Sequence, residues 1–322
     1  MSGQRHQTFV DELRRFTVEI ADTRWAVIAE RLTKPLRVAV SGRRGVGRRT
    51  VAQALACAGV DLARPPDAAD LEVYVIAEVA KPEDRDAIAA SRYRVLTVLN
   101  KADLTDKPAG VPAEPMVGLL AVAVLDDTRW AELKMLSTRP TDLSSPDSFL
   151  TGDHPLPVEV RRRLLDTFDL FGITQAIGAM RRGESKTQVQ ALLRRLSRID
   201  AVVDEVTAAC TEVHYRRMLG AVAELEALAV TDPRAADFLS RDDTVIARMA
   251  AALDVVEAAG LPVERCSHRA ALLQQAARWQ RYSRGPVSAT HRVCGADIAR
   301  GSLRLWSRAS SGSPPISRVQ NA

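Results

Sequence analysis

Long apolar runs are missing from this 322-residue chain. The longest, 117–125, is too short to span a bilayer, and the polar, charged N-terminus shows no signal peptide. A cytoplasmic location is expected, with peripheral attachment to a membrane left open. Cysteine is scarce: Cys57, Cys210, Cys266 and Cys294 form no CxxC pair, and no histidine stands at ligand spacing to them. That argues against zinc and redox motifs, and no metal ligands are assigned. Cys57 and Cys210 fall in apolar helical patterns and are expected as small core residues. Aromatics make up only 4% of the chain, while Ala, Leu, Val and Arg abound. Helices packed through small and branched side chains are therefore expected. The apolar fraction of 46% is that of a globular protein, and the length allows two ordinary domains.

The formal charge of +5 is unevenly placed. Between Arg265 and Arg318 there are ten Arg, no Lys and one acid, Asp297. Such an end fits an anionic membrane surface, an acidic partner or nucleic acid, and equally a solvated helix face with a loose tail. Trp279, Tyr282 and Trp306 are interleaved with these arginines, which permits stacking on bases. At helical spacing such aromatics belong to a core, and nucleic acid is disfavoured as a partner.

Phe9, Leu13, Phe16, Ile20 and Ile28 recur at helical spacing and predict an amphipathic helix over 5–33, stopped by Pro35. Strands are expected at 36–41, 71–77 and 94–99, with a fourth candidate at 115–124 of which part could be helical. Helices are expected at 50–58, 82–91 and 127–136. This alternation implies a parallel sheet with flanking helices, whose ligand site lies beyond the C-terminal strand ends. Residues 141–157, rich in Ser, Thr, Asp and Pro, read as a linker. Beyond them only helices are expected: 158–170 and 173–182 interrupted by Gly172, then 187–196, 201–228, 235–259, 265–281 and 287–306. The expected organisation is an N-terminal helix (1–35), an α/β domain (36–140), the linker, an all-α bundle (158–309) and a disordered tail (310–322).

Two motifs sit at strand ends. Gly42-Arg43-Arg44-Gly45-Val46-Gly47-Arg48-Arg49-Thr50 follows a strand and opens a helix, which is the context of a P-loop. There, backbone N–H groups and the helix N-terminus hold phosphate oxygens. A working P-loop ends Gly-Lys-Ser/Thr. Here Arg48 keeps the positive charge but not the ammonium geometry. Arg49 replaces the hydroxyl that would bind Mg²⁺, and Thr50 stands one residue late, about 100° around the helix. Mg²⁺ is therefore not expected to be held, and hydrolysis should be weak or absent. A glycine-rich turn with no ligand would share these residues.

After the third strand comes Asn100-Lys101-Ala102-Asp103, the Asn-Lys-x-Asp pattern of GTPases. The Asp103 carboxylate could accept from the N1–H and N2 amino edge of guanine, a donor pair adenine lacks, and such a site rejects the wrong base by ~10⁴. Asn100 would tether neighbouring loops, the Lys101 stem would lie along the base, and Gly118 could offer a backbone N–H. A polar loop after a strand is the plain alternative. Between the motifs there is no Asp-x-x-Gly switch, and no threonine occurs between Thr50 and Thr97. Those segments normally hold the γ-phosphate and the attacking water.

On 42–50, 100–103 and Gly118-Leu119-Leu120-Ala121, the chain resembles bacterial dynamin-like and related actinobacterial GTPases. A weaker likeness continues at Phe168-Asp169-Leu170-Phe171-Gly172-Ile173 and at 192–197, so that it covers about 5–230. The resemblance implies a P-loop NTPase fold, GTP or GDP as ligand, and a helical stalk that self-associates, binds a protein or touches membrane. The departures at Arg49 and at both switches imply a guanine-nucleotide-binding regulator or scaffold with no assigned catalytic residue. The alternative is an interaction scaffold that binds no nucleotide.

Overall fold

A computed structural model describes residues 4–20, 22–63, 69–105, 108–264 and 268–310. The chain divides into two compact units. One is Arg37–Val206; the other joins the residues before it to those after it.

The first unit is built on four parallel strands in the order β1 (Val38–Gly42), β2 (Leu71–Ala77), β3 (Arg94–Asn100) and β4 (Glu114–Met116). Most of their apolar residues are buried, as in a sheet covered by helices. The register pairs Gly42 with Val75, Ala77 with Asn100, and Asn100 with Met116. All four C-terminal ends therefore meet at one edge. Val38 directs both its N–H and its C=O to the 61–63 segment, at 2.8 Å from Asp61 O and 2.9 Å from Ala63 N. In a parallel ladder both groups of one residue point the same way, so this segment covers the side of β1 away from β2.

Helices α3 (Arg48–Cys57) and α4 (Pro82–Ala90) connect the strands. α4 begins with proline and carries a capping box through Asp84. The stretch 115–124, a strand candidate that could be helical in part, is strand only to Met116 and then forms α5 (Gly118–Val122). The helical turn buries Leu120, which a strand would have alternated with exposed neighbours. α6 (Asp127–Ser137), α7 (Pro146–Thr151), α8 (Val158–Arg181) and α9 (Lys186–Ser197) complete this unit together with the start of α10 (Ile199–Leu228).

The expected linker 141–157 thus lies inside the unit: its α7 buries Phe149 in a core shared with Leu120, Leu133, Phe168 and Leu193. Nor do α8 and α9 belong to a separate bundle. Both pack on α5, and α8 also packs on α6. Gly172 does not interrupt α8. It lets the helix approach α5, since a Cβ there would stand 2.5 Å from Leu120 Cδ2. The break falls at Asp169, with φ 55° and ψ 173°.

The second unit is wholly helical over its described residues: α1 (Gln4–Ile20), α2 (Thr23–Thr33), the rest of α10, α11 (Pro233–Ser240), α12 (Asp242–Ala258), α13 (Arg269–Ser283) and α14 (Ala289–Ser310). The helix expected over 5–33 is two helices. Asp22 caps the second by accepting the Arg24 N–H at 3.0 Å. The fold-back brings Phe16 to Trp25, with ring centroids 5.0 Å apart, and Phe238 joins them from α11. The helix expected over 235–259 likewise divides at Arg241.

Six aromatics, Phe9, Phe16, Trp25, Tyr215, Phe238 and Trp279, are buried in this core, where each covers a large area. Trp279 is buried as expected, while Trp306 is half-buried under Arg269. Cys57 is exposed and Cys210 half-buried, against the expectation of two core cysteines; Cys294 is the buried one. Cys266 and the expected disordered tail, apart from Ser310, lie outside the described residues.

Candidate functional site

The glycine-rich loop leaves β1 at Gly42 and enters α3 at Arg48. Gly42, Gly45 and Gly47 all have positive φ, the conformation glycine adopts without steric cost. Gly47 is additionally confined: φ is 89°, and a Cβ would lie 2.2 Å from Asn100 Nδ2. The close approach has a purpose in the geometry. Asn100 Nδ2 donates to Val46 O at 2.9 Å, and Asn100 Oδ1 accepts the Gly118 N–H at 2.9 Å. One buried amide therefore ties the glycine-rich loop, the end of β3 and the start of α5 into a single edge. The tethering role expected of Asn100 is met.

The loop's arginines separate into two kinds. Arg43 is drawn away toward α4: its Nε donates to the fully buried Asp84 Oδ1 at 2.7 Å. The Tyr74 hydroxyl donates to the same oxygen at 3.0 Å, and the Lys81 N–H to Asp84 Oδ2 at 2.9 Å. Burial opposes the charge of Asp84, but these donors hold its carboxyl below the usual value. Burial and the bond to Asp84 push Tyr74 up to about 12. The Arg43 side chain, expected among phosphate ligands, is thus engaged elsewhere, because a buried carboxylate needs a cation more than an exposed loop does. Arg44, Arg48 and Arg49 are exposed and meet no acid among the described residues. Val46 is buried, and Thr50 is half-buried in the first turn of α3.

Beyond Asn100, Lys101 takes the left-handed conformation (φ 58°), and Asp103 follows in a single 3-10 turn, Ala102–Leu104. Lys101 is exposed. Asp103 is half-buried, and no other residue's side chain or backbone donates to it among the described residues. Burial pushes its carboxyl above the usual range, and the nearby Asp169 carboxylate adds to this; its own N–H and Lys101 oppose. Here is an acceptor-only group, partly desolvated, with unmet hydrogen-bonding capacity.

Asp169 was not legible as part of this edge. Its φ of 55° with ψ of 173° is nearly confined to glycine and costs about 1–3 kcal/mol. Its Oδ1 accepts the Leu170 N–H at 2.6 Å. Nothing in the helical periodicity of 158–182 marks this position, although it sits in the Phe168–Ile173 stretch. Asp84 was missed too, since a Pro-Glu-Asp helix start reads as ordinary capping.

No protein-family model matches the chain, nor does any curated protein or any solved structure. The site is therefore read from its own residues.

Proposed function

We propose that the Arg37–Val206 unit is a degenerate P-loop NTPase domain that binds GTP or GDP. Its phosphates would lie against the amides of 42–50 and the N-terminus of α3, and its base against Asp103. The observation that carries this reading is Asn100. A single buried side chain joins the two candidate motifs and Gly118, so phosphate and base determinants share one sheet edge. An empty glycine-rich turn would need no such tie to a segment so distant in sequence. The bare, half-buried Asp103 carboxylate adds to it, because guanine supplies two adjacent donors that would satisfy it. Turnover is expected near background, since Arg49 stands where a hydroxyl would hold Mg²⁺. The protein then acts as a nucleotide-dependent regulator or scaffold, its helical unit contacting a protein partner, a second copy or an anionic membrane surface.

Titration of the full chain with a fluorescent guanine nucleotide, with ATP as competitor, tests the proposal. Saturable binding that ATP does not displace supports it, and Asp103→Asn should weaken that binding by about tenfold or more. No binding returns the unit to a scaffold without nucleotide, and binding indifferent to Asp103→Asn means that the base site is misplaced.

A further inference from the structure

Resting on the nucleotide-binding reading of the glycine-rich loop, we infer that this loop holds a polyphosphate with its own arginines in place of a divalent cation, so that binding there is independent of Mg²⁺. Mg²⁺ asks for oxygen ligands in near-octahedral array. The loop does not fit that demand. The position after Arg48 is Arg49, whose guanidinium is a donor only. Thr50 lies one residue further, about 100° around α3. Among the described residues no group of three or more His, Cys, Asp or Glu is placed to hold a metal.

What the loop offers instead is uncancelled positive charge. Arg43 is neutralised by Asp84, but Arg44, Arg48 and Arg49 make no hydrogen bond, ion pair or ring contact among the described residues. Three like charges within six residues, on the loop and the first turn of α3, repel each other, and an anion relieves that repulsion. Their planar forks match phosphate oxygens in pairs, as a hydrated metal ion does not. The substitution at Arg49 therefore converts the place of a metal ligand into a place of charge. A polyphosphate already complexed by Mg²⁺ is less anionic and gains less from these arginines. Mg²⁺ should leave the affinity unchanged or weaken it.

The test is calorimetric titration of the full chain with inorganic tripolyphosphate and with GTP, each in EDTA and in excess Mg²⁺. Affinities in EDTA equal to or above those in Mg²⁺ are expected. The combined Arg44→Gln, Arg48→Gln and Arg49→Gln variant should lose at least about tenfold in EDTA, as befits three charged contacts. These side chains are exposed, so a thermal melt should match the parent. Arg49→Ser, which restores a hydroxyl, should weaken binding in EDTA and regain part of it with Mg²⁺. A parent affinity that collapses in EDTA, an unchanged triple variant, or no tripolyphosphate binding overturns the inference. The base reading fails separately: GTP binding no better than ATP, with Mg²⁺-independence intact, removes guanine and leaves the polyphosphate site.

Discussion

In the helical unit, Arg308 reaches Asp242 and Asp243 at 2.9 Å, and Arg248 is buried against Asp297 at 2.8 Å. In the sheet unit, Arg44, Arg48 and Arg49 meet no acid among the described residues. The same side chain thus serves as a tie in the helical unit, and at Arg43 of the sheet unit, but is left unspent at these three neighbouring positions. The sequence shows the Arg-rich C-terminal stretch as an electrostatic surface in search of a partner. Much of that charge is already met inside its own unit: Arg300 by Asp297, Arg304 and Arg308 by α12, and Arg278 by Glu264. Three arginines of the less conspicuous glycine-rich loop, by contrast, meet no acid among the described residues.

The sharpest way to break this contrast is to remove a tie. Asp297→Ala leaves Arg248 buried without its carboxylate and the Tyr215 hydroxyl without its acceptor at 2.9 Å. It should cost about 3–5 kcal/mol in urea unfolding followed by circular dichroism. A loss below about 1 kcal/mol would mean that the buried pair does not hold the helical unit together. Next in size is Asn100→Ala, which strands Val46 O and the Gly118 N–H. A cost of about 2–3 kcal/mol is expected, with loss of guanine-nucleotide binding. Full binding in this variant would show that the two motifs do not act through one edge.

Asp84→Ala should cost about 2 kcal/mol at neutral pH by removing the shared acceptor of Arg43, Tyr74 and the Lys81 N–H. The sign with pH follows from the depressed carboxyl of Asp84. Its charge stabilises the fold above the unfolded value of about 3.9, and that contribution disappears as pH falls through the lower folded value. The gap between parent and variant should therefore narrow below about pH 4 in acid-dependent melts. A gap that widens would reverse the assignment. The smallest effect is Asp169→Gly. Relief of the positive φ, less the bond to Leu170 N–H, should leave the sheet unit about 1 kcal/mol more stable. Guanine-nucleotide affinity measured on the same variant shows whether the strain serves the proposed base site. Unaltered affinity assigns it to packing alone.

Local pattern was enough to find β2 at 71–77, β3 within one residue of its end, and α4 and α6 within one residue at their C-terminal ends. A short apolar run bounded by turn residues defines a buried strand without reference to the rest of the chain. The two motifs were legible for the same reason, since glycines and Asn-Lys-x-Asp occupy consecutive positions. Partners far apart in sequence were not. Arg43 and Asp84 are joined only after β2 and α4 have packed, and the placing of α8 on α5 depends on Gly172 meeting Leu120.

By itself, then, the sequence determined an α/β segment with polar loops at the ends of its strands, and a long helical remainder, because backbone preference and hydrophobic period act over a few residues. Only the tertiary structure decided which helices join the sheet, which arginines are cancelled, and that Asn100 binds the loops together. Those outcomes depend on buried polar groups finding donors and acceptors across the chain, and that matching exists only once the core has formed.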